Sequence, residues 1–155
     1  MKLLALDQAK RCGYAVFDND KLVDYGTKIL GGDDLTYENI LLPASNIIKE
    51  LIYSVQPDIV LIEDIQYEHN MLVYQKLAML KGVLLKLFKE IDIKYLVVQP
   101  SKWKAYLKIK GKKRDEQKLN TINMMQETFN LTGLTSDPAD AIGIAYYYIK
   151  SKGGE

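Results

Sequence analysis

The chain has 155 residues, enough for one domain with a buried core. Its 48% apolar and 26% charged residues are ordinary for a globular protein and argue against a disordered or fibrous chain, while the single cysteine, Cys12, excludes an internal disulfide and a cysteine-based metal cluster. The net charge of +1 hides an uneven distribution: residues 1–75 hold 6 Lys/Arg against 12 Asp/Glu, residues 76–118 hold 13 against 4, and residues 119–155 hold 2 against 4. Lysine-rich helix faces are commonly just solvated, but such a block beside an acidic remainder also suits a protein that grips phosphates on one surface and uses carboxylates on another. No long apolar span and no signal peptide is visible, so the expected compartment is the cytoplasm, with no membrane.

The chain opens on Leu3-Leu4-Ala5-Leu6, the pattern of a strand buried on both faces, and the run stops at a bare carboxylate, Asp7. A polar turn, Gln8 to Arg11, leads to the strand-like Gly13-Tyr14-Ala15-Val16-Phe17. The turn cluster Asp18-Asn19-Asp20 then leads to a third strand, Lys21 to Tyr25. Two tight connections predict an antiparallel meander. An Asp at the end of a central strand sits where α/β sheets place ligands, although a lone Asp equally well starts a turn.

After a Gly31-Gly32-Asp33-Asp34 loop, helical spacing runs from Thr36 to Val55, with Ile40, Ala44, Ile47, Ile48, Leu51, Ile52 and Val55 on one face. Pro43 predicts a kink or a late start. Ile59 to Ile65 is a β-branched run typical of a parallel strand, interrupted by Glu63. A buried Glu63 needs a partner or must neutralise; otherwise it is an edge residue facing water. A strand reached by a helical crossover should lie beside the first one, which would bring Glu63 close to Asp7.

Tyr67 and His69 fall in a loop, His69 reading as a solvated residue. Asn70 caps a long helix to about Glu90, carrying Leu77, Leu80, Leu84, Leu87, Phe88 and Ile91 as its apolar stripe. Gly82 inside it suggests close packing against another helix. Ile93 to Val98 is a further strand. Ser101 caps a short helix containing Lys102, Trp103, Lys104 and Tyr106, followed by the basic stretch Lys108-Ile109-Lys110-Gly111-Lys112-Lys113-Arg114. Lysines interleaved with aromatics suit nucleic-acid backbone and bases, or the aromatics belong to the core. A helix from Asp115 to Phe129 should bury Leu119, Ile122, Met125 and Phe129.

Ser136-Asp137-Pro138-Ala139-Asp140-Ala141 opens the last helix. Asp137 as N-cap with Pro138 at the first position is a capping signature in itself. Yet acids three apart share one helical face, and Ala139, Ala141, Gly143 and Ala145 allow close approach to a sheet. Asp7, Glu63, Asp137 and Asp140, if brought together, would repel one another unless cations sit among them. Oxygen-only ligands favour Mg²⁺, with Mn²⁺ a substitute, and two such ions about 4 Å apart can drive phosphodiester hydrolysis.

These motifs, with Gln56-Pro57-Asp58 before Ile62-Glu63, Lys81-Gly82-Val83 and Val98-Gln99-Pro100-Ser101, run nearly end to end. The sequence resembles a RuvC-type Holliday junction resolvase within the ribonuclease H-like nuclease superfamily, with a phage or viral member among the expectations. The resemblance implies an α/β, ribonuclease H-like mixed five-stranded sheet, three antiparallel then parallel strands, flanked by helices. It places one nuclease domain over residues 1–150, with 151–155 a short tail. It implies catalytic and metal-binding roles for Asp7, Glu63, Asp137 and Asp140, a homodimer, and paired nicks in branched DNA, four-way junctions or forks. The expected DNA contacts are Lys76, Lys81, Lys102, Trp103, Lys104, Lys108, Lys110, Lys112, Lys113, Arg114, Lys118 and Tyr67. Gln8-Ala9 stands where Pro-Gly commonly follows the first Asp. Which basic residue of Lys112, Lys113, Arg114 and Lys118 assists catalysis is left open. Two other readings stay beside it: a YqgF-like nuclease acting on RNA or an actin-like phosphotransferase on the same fold, and a branched-DNA binder without catalysis.

Overall fold

The alternation of apolar residues in the first strand divides the molecule into layers. In β1 (Lys2–Asp7), Leu3 and Ala5 face one core while Leu4 and Leu6 face another. The computed structural model describes residues 1–153. The remaining strands are β2 (Arg11–Asp18), β3 (Lys21–Ile29), β4 (Ile59–Glu63) and β5 (Tyr95–Val98), arranged β3-β2-β1-β4-β5. β1 pairs antiparallel with β2 and parallel with β4, β4 pairs parallel with β5, and β2 pairs antiparallel with β3 through a bulge at Val16/Phe17. The expected mixed sheet is therefore present, with the apolar first strand at its centre.

On the Leu4/Leu6 face lie α1 (Tyr37–Val55) and α2 (Met71–Glu90), contributing Ile40, Ile48, Leu80, Leu84 and Phe88. On the Leu3/Ala5 face lie α3 (Pro100–Tyr106), α4 (Arg114–Phe129) and α5 (Ser136–Gly153), contributing Trp103, Met125, Ile142 and Ala145. No helix among the described residues is long and apolar enough to cross a membrane.

Several local expectations need correction. α1 starts at Tyr37, capped by the Thr36 side chain, and runs on through Pro43, so there is no late start. β4 ends at Glu63 instead of being interrupted by it. The cap of α3 is Gln99, without a side-chain bond, because Pro100 takes the first helical position and puts Ser101 inside. Asp137 is not an N-cap: α5 already begins at Ser136, and the Thr135 carbonyl accepts from the Ala139 N–H at 3.2 Å. Leu119 is 58% exposed, since α4 turns Thr121 and Met125 inward instead. Gly82 packs against nothing within 4 Å, so close helix packing inside this chain is not its reason.

One approach is tight enough to fix the site. A β-carbon at Gly13 would stand 1.9 Å from the Asp137 carbonyl oxygen, so the first turn of α5 lies directly on β2. Gly13 is the register partner of Asp7. Gly13→Ala should therefore lift α5 from the sheet and cost about 1–3 kcal/mol or more, read as a lowered Tm, whereas Gly82→Ala should leave Tm unchanged or raise it.

Candidate active site

Strand register puts the first two acids side by side. β1 and β4 run parallel with Leu6 opposite Ile62, so Asp7 and Glu63 leave the C-terminal ends of neighbouring strands. The bare side of Gly13 then brings Asp137 alongside Asp7, and Asp140 follows one turn later on the same helix. All four acids line one cleft of about 1050 Å³.

Burial makes this crowding expensive. Asp7 is held well above the usual carboxylate range, first by desolvation, then by the Glu63 charge and a hydrogen bond with it, then by Asp137. Glu63 is raised too, chiefly by desolvation, with hydrogen bonds to Asp7 and Trp103 pulling the other way. Asp140 is pushed up to about 7 by desolvation and the Asp7 charge, against the pull of Lys104 and Lys118. Burial and like charge thus push all three acids toward their neutral forms, and Lys104 and Lys118 oppose this only in part.

Neighbouring side chains hold the acids. The Trp103 indole N–H donates to Glu63 Oε1 at 2.8 Å, and Gln8 Nε2 donates to the Glu63 main-chain carbonyl at 3.3 Å. Arg11 Nε donates to Asp137 Oδ2 at 3.3 Å. Among the described residues no group of three or more His, Cys, Asp or Glu side chains is set to hold a metal ion as it stands. Asp7 and Glu63 turn to each other, and Trp103 and Arg11 occupy Glu63 and Asp137. The donor chemistry nevertheless fits a hard divalent cation: every candidate atom is a carboxylate oxygen, and a cation would relieve the repulsion that a proton now relieves.

The expected DNA contacts scatter. Lys104, Lys112, Arg114 and Lys118 line the cleft, with Lys104 and Lys118 close enough to act on the acids. Lys102, Lys108, Lys110 and Lys113 are exposed outside it, as is Lys76. Tyr67 is exposed on the loop after β4, against His69 and Tyr74. One expectation fails. Trp103 is completely buried and cannot stack on a base, because its polar edge is spent on Glu63. Lys81 is partly buried and pairs with Asp64, so it would reach DNA only by exchanging that partner. Sequence reasoning missed Arg11 and Asp64, and noted Gln8 only as a departure from pattern. For Arg11 the one available signal was its place across the turn from Asp7.

The raised acids set a pH dependence. A carboxyl group whose folded value is raised binds more protons folded than unfolded, so its neutral form favours folding below about 4 and that contribution is lost as pH rises through about 7. Tm of cation-free protein should fall over this window, and Asp140→Asn should flatten the fall and melt higher at pH 8.

The family model for crossover junction endodeoxyribonuclease RuvC matches residues 4–148. The chain is 28% identical over 162 residues to the crossover junction endodeoxyribonuclease RuvC of Fusobacterium nucleatum subsp. nucleatum, covering 100% of this chain and 83% of that protein. The structure is similar to Thermus thermophilus RuvC, with a TM-score of 0.75 at 16% identity over 99% of this chain and 97% of that one. It is also similar to the Fowlpox virus resolvase in complex with substrate Holliday junction DNA, with a TM-score of 0.64 at 16% identity over 98% and 99% of the two chains. At those identities the structural likeness concerns the fold. The family match spans nearly the whole sequence, and the chain belongs to the RuvC family of crossover junction endodeoxyribonucleases, which are divalent-metal-dependent nucleases.

Proposed function

We propose that this chain is a Mg²⁺-dependent endonuclease, with Mn²⁺ able to substitute, that resolves four-way DNA junctions, and forks, by paired phosphodiester cleavage. The observation that carries the reading is the convergence of Asp7, Glu63, Asp137 and Asp140 in one cleft edged by Lys104, Lys112, Arg114 and Lys118. The four acids would hold two cations. Such ions supply an activated water and neutralise charge at the leaving oxygen. The chain's own basic side chains act on the substrate instead. Lys104 and Lys118 are near enough to the acids to receive a phosphate beside them, and Lys112 and Arg114 extend that attraction along the rim. Arg11 pairs with Asp137 from an exposed position and is free to release it to a phosphate. Tyr67, exposed on the loop after β4, would offer its ring to a base that has left the stack.

Each chain carries one such cleft, so paired cuts require two chains. α2 offers the surface. Met71, Leu72, Val73 and Met79 are 54%, 67%, 47% and 42% exposed, Leu72 and Met79 lie seven residues apart on one face, and Gly82 has open space over it. A second copy crossing α2 would cover this face.

The decisive experiment is cleavage with Mg²⁺ of a four-way junction, a fork and a structured RNA. Wild-type protein should cut the junction in symmetric pairs. Glu63→Gln and Asp137→Asn should bind it as tightly as wild type or more so, while cutting falls by more than the roughly 10–100-fold that outer partners of a metal site are worth. Cutting of RNA in place of DNA would point to a YqgF-like nuclease, and binding without any cutting to a non-catalytic binder.

For assembly, sedimentation at micromolar concentration should show a dimer for wild type and a monomer for the combined Leu72→Lys and Met79→Lys variant, whose nicks should no longer be paired. A wild-type monomer with and without DNA would remove α2 as the interface.

A further inference from the structure

Trp103 is the only tryptophan in the chain, and it is completely buried at the base of the cleft. Its two ends touch different walls of the acid cluster. The indole N–H meets Glu63 Oε1 at 2.8 Å, on β4. The six-membered ring lies against α5, where a β-carbon at Gly143 would stand only 2.8 Å from Cζ3. Gly143 lies one turn beyond Asp140 on the same helical face. One planar side chain therefore spans the distance from the β4 acid to the helix bearing the other two. An aliphatic residue could fill this core, but it would donate nothing to Glu63.

We infer that Trp103 is a positioning residue for the cation site: its N–H occupies one Glu63 oxygen and so directs the other toward the cleft, while its ring sets the spacing between Glu63 and the α5 acids. This rests on the four acids being the cation site.

The test uses Mn²⁺ alone, titrated calorimetrically into full-length protein, with thermal melting on the same samples. Trp103→Phe keeps an aromatic ring but loses the donor, and should bind Mn²⁺ about 10–100-fold more weakly, with junction affinity in the absence of cation unchanged. Gly143→Ala should lower Tm by pressing on the ring. Combining the two should restore Tm, because phenylalanine vacates the space the methyl needs, yet cation affinity should stay low. In unmutated protein, Mn²⁺ should change Trp103 emission, and Glu63→Gln should abolish the change. Affinity that returns together with stability in the double variant, or a Trp103→Phe protein that binds Mn²⁺ like wild type, would reduce Trp103 to packing and overturn the inference. If the unmutated protein neither binds Mn²⁺ nor nicks junctions, the proposed function itself fails.

Discussion

Like charges packed out of water are the constraint around which this molecule is built. Asp7, Glu63 and Asp140 are all pushed toward their neutral forms, mainly by desolvation and then by one another. A flexible chain would let such groups drift apart. Here two of them leave adjacent parallel strands whose register is fixed by apolar layers on both faces. The other two ride on a helix that meets the sheet at backbone contact over Gly13. The opposing term comes from hydrophobic burial beneath the site, with Leu4, Leu6, Leu61 and Ile62 essentially inaccessible.

Much of this was legible because strand-end acids and helical acids three apart have positional meaning. A β-branched run after a helical crossover predicts a parallel neighbour, and that alone places Glu63 beside Asp7. The small residues Ala139, Ala141, Gly143 and Ala145 likewise announced a helix close to a sheet. What stayed hidden depended on direction and on distant pairing. α3 has only seven residues, too few turns to show which way Trp103 faces, so lysines around it suggested an outward aromatic. Lys81 and Asp64 pair across 17 positions, a distance no local pattern reveals. Leu119 looked buried because its helix has a weak apolar stripe, and the choice of Thr121 and Met125 as inner residues is made by tertiary packing.

The basic block between residues 76 and 118 also changes meaning in three dimensions. Its charges do not form one surface: Lys81 is engaged with Asp64, Lys86 with Glu90 and Arg114 with Glu68, while Lys104 and Lys118 act on the acids. The Arg114–Glu68 pair joins the loop after β4 to the start of α4 across the cleft mouth, and both members are largely exposed. Such pairs are weak and open to exchange. Much of the positive charge in this block is thus already answered by carboxylates, Lys104 and Lys118 by the acids of the cleft itself.

The sheet has two edges of unequal kind. β5 offers four residues, too short a rail for a lasting strand partner, while β3 offers nine. That longer rail is studded with Lys21, Asp24 and Lys28 and lies beside the bulge at Val16/Phe17, features that discourage edge-to-edge growth. Sheet extension is therefore a poor route for joining copies of this chain. A second copy would then have to dock on helices, and one seated on α2 would border the cleft, which Val73, Tyr74 and Leu77 of that helix line.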